Sequence, residues 1–510
     1  MLSRIPSYGL TGIKGFPVQV EVDIALGMPS YETVGLPDPA VKESKERIRS
    51  AVKNSGFHYP AERIVVNLAP ADVRKTGPLY DLPIALGLLA ATDQLPARAA
   101  LGTVVVGELS LSGGVLPVRG VLPLLISAMG NGFRRFVIPA ENAREASYLE
   151  GAEIYPVKNL RQAAEFFSGR SGLEPVAHAD YESGRSAAVC PFDLADVRGQ
   201  RAAKRAIEIA VSGGHNLLRI GPPGAGKTML SKCIVSIMPD MTFEEALDVT
   251  QIHSVSGDLD PEQGMVFTRP FRTPHHTTTK PTLIGGGASL RPGEVSLAHN
   301  GVLFLDELPE YKRDTLETLR QPLEDGKVTV SRVAGTVEYP ARFMLVASMN
   351  PCPCGNYGSK LQKCRCTYNE IKRYMSRISE PLLDRIDLHV EVDGVSYEDI
   401  SSRGTEESSA AVKERVNAAR AVQRARFEGT GLHCNSEMSI REIREYCSLD
   451  AEGEQLISGA FEKLHLSARG YTRILKVART IADLDGAEKL APAHIAEAIQ
   501  YRTLDRKYWD

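Results

Sequence analysis

Gly221, Pro222, Pro223, Gly224, Ala225, Gly226, Lys227 and Thr228 fit the pattern G-x-x-x-x-G-K-[ST] without a gap. Glycines let backbone N–H groups turn inward, and N–H groups so arranged cradle phosphate oxygens. Lys227 would then reach the β- and γ-phosphates of ATP, and the Thr228 hydroxyl would hold Mg²⁺. Downstream, Gly301-Val-Leu-Phe-Leu-Asp-Glu307 is an apolar run closing on two acids. Asp306 is expected to bind Mg²⁺, directly or through water, and Glu307 to polarise the attacking water as a general base. Such a run is common by itself; its spacing after a phosphate loop gives it meaning. Asn350 ends a further apolar run, Met344-Leu-Val-Ala-Ser-Met-Asn350, and is a candidate to orient the same water. A second chemistry follows at once. Cys352, Cys354, Cys364 and Cys366 form C-x-C-x₉-C-x-C, four thiolates able to close a tetrahedral Zn²⁺ site. The C-x-C spacing is tighter than the usual C-x₂₋₄-C. With all four positions filled, such a site is structural rather than catalytic.

These residues need rigid supports. Asn216-Leu-Leu-Arg-Ile220 reads as a buried strand, and Met229–Ile237 has helical spacing, so the phosphate loop has strand before and helix after. Three apolar strands carrying their polar residues at the carboxyl end require a parallel sheet covered by helices. Glu324–Tyr339 alternates with period two around Ala334-Gly335 and predicts a β-hairpin. At the front, Val18–Ile24, Arg63–Leu68, Thr103–Leu109 and Phe136–Pro139 read as strands, with helices over Ser44–Lys53 and Asp81–Leu89. The expected class is α/β with a helical C-terminal lid: a front α/β domain over 1–167, a small polar linker over 168–192, a parallel-sheet ATPase core over 193–396 and the lid over 397–510.

The bulk numbers narrow the partners. Net charge is −3, so any polyanion site must be local. Between Lys360 and Arg385 there are seven basic residues against three acids, interleaved with Tyr357, Tyr368 and Tyr374, which could stack on bases. Lys413–Arg426 is a second basic run, expected as a solvated helix face. No apolar run is long enough to span a bilayer, and Met1-Leu-Ser-Arg-Ile-Pro6 lacks a signal-peptide core, which predicts a cytoplasmic protein without membrane partners. Eight cysteines in 510 residues do not make a disulfide scaffold.

Val106–Gly120 and Val137–Asn142 resemble the proteolytic domain of Lon. That family needs a Ser–Lys dyad, since serine is a weak nucleophile without a base. Where Lon has its serine this chain has Leu79-Tyr80-Asp81, and where it has its lysine the chain reads Val121–Ile126. A Lon-like fold without peptidase chemistry is the expectation.

Arg269-Pro-Phe-Arg-Thr-Pro-His-His276, Leu283-Ile-Gly-Gly-Gly-Ala288 and Arg291–His299 resemble the magnesium-chelatase branch of the AAA+ ATPases. Together with the Lon-like front and the cysteine block, nearly the whole chain is similar to the ComM/YifB family. The resemblance implies a hexameric ATP-driven DNA helicase that promotes branch migration during natural transformation. It also implies further roles. Arg385, with Arg377 second, becomes the arginine that reaches a neighbour's γ-phosphate; Arg469, with Arg473 next, becomes the lid sensor. Val197 and Gln200 become neighbours of the adenine, and Lys327 and Arg332 phosphate contacts on a channel hairpin. Gly285-Gly-Gly287 would mark a mobile pore loop. The adjacent His275 and His276 cannot easily share a metal, and packing or hydrogen bonding is expected of them. The alternative from the same resemblance is a chelatase-type motor that remodels a protein partner.

Overall fold

The computed structural model describes residues 2–96, 100–187, 190–287, 290–332, 335–358, 362–392 and 406–509. It divides into two compact units, one of residues 1–187 with 243–267, the other of 188–242 with 268–510. The 396/397 boundary expected between core and lid lies outside the described residues.

In the first unit, β1 (Leu2–Thr11), β2 (Lys14–Ala25), β3 (Ser30–Val34) and β4 (Arg63–Ala69) form a sheet in the order β1-β2-β4-β3. The β3–β4 pair is parallel and the other two pairs antiparallel. Alternation buries Val18, Val20 and Val22 of β2 on one face. Helix α1 (Pro39–Asn54) is capped by Asp38, whose carboxylate accepts from the Val41 N–H, and it buries Val41, Ile48 and Val52. Helix α2 (Asp81–Ala91) is apolar all round and every one of its residues is buried. A parallel sheet of β5 (Thr103–Val105), β6 (Arg135–Pro139) and β7 (Glu153–Val157), with α3 (Val121–Gly130), completes the unit.

The contiguous division expected from the sequence is not what packs. The helix Phe243–Ser256, which lies between the phosphate loop and the acidic pair in sequence, belongs to the first unit. There the Ser254 hydroxyl donates to the buried Glu145 carboxylate at 2.6 Å, and the Gly120 N–H donates to the Ser254 carbonyl at 3.1 Å. The expected linker is also partly ordered: Tyr181–Ala187 is a helix. Tyr181 is buried, its ring 5.8 Å from Phe267 and 5.6 Å from Phe243, so one aromatic anchors an otherwise polar stretch.

The second unit is built on a five-stranded parallel sheet. Helix α4 (Arg201–Gly213) leads into β8 (Leu217–Ile220), and α5 (Lys227–Lys232) follows the phosphate loop; the expected helix breaks at Cys233 and resumes over Ile234–Ile237. With β9 (Phe271–Arg272), β10 (Val302–Leu305), β13 (Met344–Met349) and β14 (Leu388–Glu391), the order is β9-β10-β13-β8-β14. Between β10 and β13 lies the expected hairpin, β11 (Lys327–Arg332) and β12 (Gly335–Pro340), paired from Lys327↔Pro340 to Arg332↔Gly335. Its residue Ala334 lies outside the described residues. The lid is helical. It includes α6 (Ser409–Arg426) and α7 (Ala468–Leu484), pinned by the buried Asp483, which receives Arg426, Arg479 and Asn435.

Candidate functional site

Parallel register brings the chemistry to one edge of the sheet. Ile220 pairs with Met349, and Leu305 pairs with Ala347. The residues that follow each strand end therefore emerge side by side, the position where open parallel sheets bind ligands. The phosphate loop turns there with Gly224 at φ +79° and Gly226 at φ +73°, conformations that only glycine adopts without strain. Its first N–H, on Gly221, donates to the Met349 carbonyl at 3.1 Å.

Lys227 begins α5 and folds back over the loop. Its Nζ lies 2.9 Å from Asn350 Oδ1, 3.2 Å from the Pro222 carbonyl and 3.4 Å from that of Met349. Burial lowers its pKa to about 8; Asp306 acts against that shift, while Arg219 adds to it. The Thr228 hydroxyl donates to Asp306 Oδ2 at 3.0 Å, so one hydroxyl and one carboxylate face a common point where a cation would sit. The other Asp306 oxygen accepts from the Ser348 hydroxyl and from the Glu307 N–H at 3.0 Å. Glu307 stands in the left-handed region at φ 51°, and its carboxylate is more than half exposed. Lys227, Thr228, Asp306, Glu307 and Asn350 thus share one edge. That arrangement can bind a polyphosphate with a divalent cation and present a base to water.

Four further side chains lie at this edge. Ser348 orients Asp306 from the neighbouring strand. His276 Nδ1 lies 3.6 Å from Glu307 Oε2, so the histidine pair serves a polar contact, as expected, but with the acidic pair. Tyr311 packs edge-on against His276, with ring centroids 6.4 Å apart, and donates to the Pro274 carbonyl. Arg219 is wholly buried in β8, 5.7 Å over the Phe304 ring, and donates to Ser231; burial brings its pKa down to about 10. A lone arginine inside an apolar strand is the one sequence signal that pointed to it.

The remaining expected residues are placed less simply. Arg385 is nearly buried, donating to the Pro381 carbonyl at 2.7 Å and to Glu324; Arg469 Nη2 lies 3.3 Å from the same Glu324 carboxylate. Neither Asp384 nor Asp387, the carboxylates nearest Arg385 in sequence, takes this pairing. Arg377 pairs with Glu310 at 2.9 Å and Arg473 with Asp387 at 3.2 Å. Val197 is buried, its carbonyl accepting from Lys204 at 2.6 Å, and Gln200 opens α4 at φ 55°.

The Gly285-Gly286 pair forms a short antiparallel ladder with Arg291-Pro292. A Cβ on Gly285 would stand 2.7 Å from the Arg291 carbonyl, so that glycine permits close backbone approach. Lys327 pairs with Glu338 at 2.9 Å, while Val328, Val330, Val337 and Tyr339 bury the other face of the hairpin. The Arg332 side chain and Lys360 lie outside the described residues. Tyr374 and Arg385 are buried, which removes both from the expected basic, base-stacking surface; Lys363, Arg365, Lys372, Arg373 and Tyr368 stay exposed. In the second basic run Lys413 pairs with Asp240, Arg415 with Glu208 and Arg426 with the buried Asp483, while Arg415 and Arg424 stay exposed.

The cysteine block closes. Cys352 Sγ lies 3.4 Å from Cys354 Sγ and 3.7 Å from Cys364 Sγ, Cys354 and Cys364 are 3.6 Å apart, and all four sulfurs lie within 4.8 Å of one another. A tetrahedral site with metal–sulfur bonds of about 2.3 Å needs sulfurs about 3.8 Å apart. The four thiols fit one metal ion. Backbone N–H groups of Arg365 and Asn356 bring the Cys354 thiol down to about 6, while burial pushes the Cys352 and Cys366 thiols up.

Residues 193–400 match the family described as magnesium chelatase, subunit ChlI; 20–142 match subunit ChlI of Mg-chelatase, and 406–502 its C-terminal part. Over 509 residues the chain is 43% identical to the uncharacterized protein YifB of Escherichia coli, covering 99% of this chain and 98% of that one. It is 42% identical over 508 residues to the competence protein ComM of Haemophilus influenzae, with the same coverage. The chain belongs to the ComM/YifB family. Like its relatives, this ComM/YifB protein has a mixed α/β fold with a magnesium-chelatase-like AAA+ core. Its front is also similar to Lon protease 1 of Hydrogenovibrio crunogenus, 24% identical over 169 residues, which span 31% of this chain and 20% of that protein. No helix among the described residues is long and apolar enough to cross a membrane.

Proposed function

We propose that this chain is an ATP-driven DNA translocase that assembles as a hexameric ring and promotes branch migration during homologous recombination in natural transformation. The observation that carries this reading is an assembled ATPase edge in a chain that resembles a competence protein from end to end. Lys227 and the loop N–H groups take the triphosphate; Thr228 and Asp306 hold Mg²⁺, which neutralises phosphate charge; Glu307 accepts a proton from water that Asn350 orients. Val197 and Gln200 neighbour the adenine. Arg385 serves a neighbouring subunit's site, which requires it to leave Glu324, and Arg469 senses the phosphates from the lid. The exposed Lys363, Arg365, Lys372 and Arg373, with the hairpin carrying Lys327, face the DNA backbone. Zn²⁺ occupies the four cysteines and contributes on the order of 10 kcal/mol to ordering their loop. The front domain is a retained fold without peptidase activity, and the protein works in the cytoplasm.

ATP turnover measured with and without single-stranded and forked DNA, alongside strand displacement on the fork, tests this directly. DNA-stimulated turnover with displacement is expected. Turnover indifferent to DNA, with no displacement, favours the second reading: a chelatase-like motor that remodels a protein partner, which the magnesium-chelatase matches along the chain support.

A further inference from the structure

The cysteine cluster and the phosphate loop touch. Cys352 is two residues beyond Asn350, which receives the Lys227 ammonium at 2.9 Å, and its side chain is fully buried. The Gly355 N–H donates to the Cys352 carbonyl at 2.9 Å, making a tight turn with Gly355 at φ +79°. That turn rests on the phosphate loop: a Cβ built on Gly355 would stand 2.5 Å from Cδ and 3.2 Å from Cγ of Pro223.

A second path returns to the same loop. The Tyr357 N–H donates to Cys352 Sγ at 3.3 Å, and the Tyr357 ring meets Tyr508 edge-on at 6.2 Å. Tyr508 donates to Glu391 at 2.8 Å, and Glu391 is paired in register with Ile220, the residue before the loop. Four sulfurs held by a metal would therefore fix both the turn that Pro223 leans on and the strand end from which the loop departs.

We propose that the Cys352–Cys366 cluster is a control site for nucleotide binding: its metal seats the phosphate loop, and loss of the metal lowers affinity for ATP. The inference rests on the reading of these cysteines as a metal site. Without the ion, the turn that contacts Pro223 loses the cross-link among its four sulfurs, and the loop N–H groups lose preorganisation. Linkage makes the effect reciprocal, so bound nucleotide must hold the metal more tightly by the same factor.

The test uses the full chain loaded with one equivalent of Zn²⁺, verified by elemental analysis. Affinity for a fluorescent ATP analogue is titrated before and after a zinc-selective chelator, with Mg²⁺ in excess and circular dichroism to monitor folding. A fall of about tenfold, in the ordinary range of coupling between sites, is expected, with recovery on adding back Zn²⁺. The analogue should slow removal of the metal in the converse titration. Gly355→Ala, which keeps all four cysteines, should retain its zinc and still bind the analogue more weakly. Zinc retained in the loaded protein but with affinity unchanged by chelation and by Gly355→Ala overturns the proposal and leaves the metal reading standing. Absence of zinc at every stage overturns the metal reading, and this inference with it.

Discussion

The front unit and the phosphate-loop edge meet charged residues in opposite ways. Where the resemblance to Lon expects a serine, Tyr80 and Asp81 are buried; the Asp81 carboxylate is tied to Arg47 at 2.7 Å and to the Leu109 N–H at 3.3 Å. At the lysine position, Val121, Leu122, Leu124 and Leu125 are core. Those side chains are spent on packing. At the strand ends of the second unit, Thr228, Asp306 and Glu307 hydrogen-bond mainly to one another, and Glu307 keeps its carboxylate in the open. A fold persists through its apolar pattern, whereas chemistry persists only where polar groups are left uncommitted at an accessible edge.

The sharpest way to break that contrast is substitution at each edge. Lys227→Ala should abolish ATP turnover, because the loop loses the ammonium that meets the phosphates, and Glu307→Gln should leave ATP binding intact while blocking hydrolysis. Both are read by coupled turnover and analogue titration. Arg385→Ala should reduce turnover by roughly 10³-fold with affinity for nucleotide preserved, the signature of a finger acting on the transition state. An effect confined to stability would mean that its pairing with Glu324 is its whole role. In the front unit the expectation inverts. Asp81→Ala strands Arg47 beside a buried site and should lower stability by about 3 kcal/mol in chemical denaturation, while turnover per folded molecule stays unchanged.

Smaller effects sharpen the contrast through pH. The folded pKa of Lys227 is depressed to about 8, so the ammonium is neutralised as pH rises through that value. Triphosphate favours the charged form, so nucleotide binding should take up protons near pH 8–9 and weaken as pH rises further. Calorimetry in buffers of different ionisation heat measures this. Asp81 has the opposite linkage. Burial, partly offset by Arg47, raises its pKa to about 6, so its contribution to stability is full below the unfolded carboxylate range and is lost as pH rises through about 6. Thermal melts across that interval should show the loss, and Asp81→Asn should flatten it.

Local pattern disclosed much of the site. The phosphate loop, the acid-ended strand, the hairpin and the cysteine spacing are each written in a short contiguous run, and parallel register alone brings the first two together. What lay beyond reach was long-range. Nothing around Glu324 announces that Arg385 and Arg469 will both turn to it, since the three are joined only by tertiary folding. Counting basic residues from Lys360 to Arg385 could not reveal that Tyr374 and Arg385 are buried. Nothing in the run Phe243–Ser256 names the core that covers it, and here that core is the front unit's.

The central claim is that this edge converts ATP hydrolysis into movement along DNA. Strand exchange on a synthetic four-way junction, followed by gel with wild type and Glu307→Gln in parallel, addresses it most directly. The wild type should resolve the junction only with ATP and Mg²⁺, and Glu307→Gln should bind the junction without resolving it. A wild type that hydrolyses ATP yet leaves every junction intact would contradict the account.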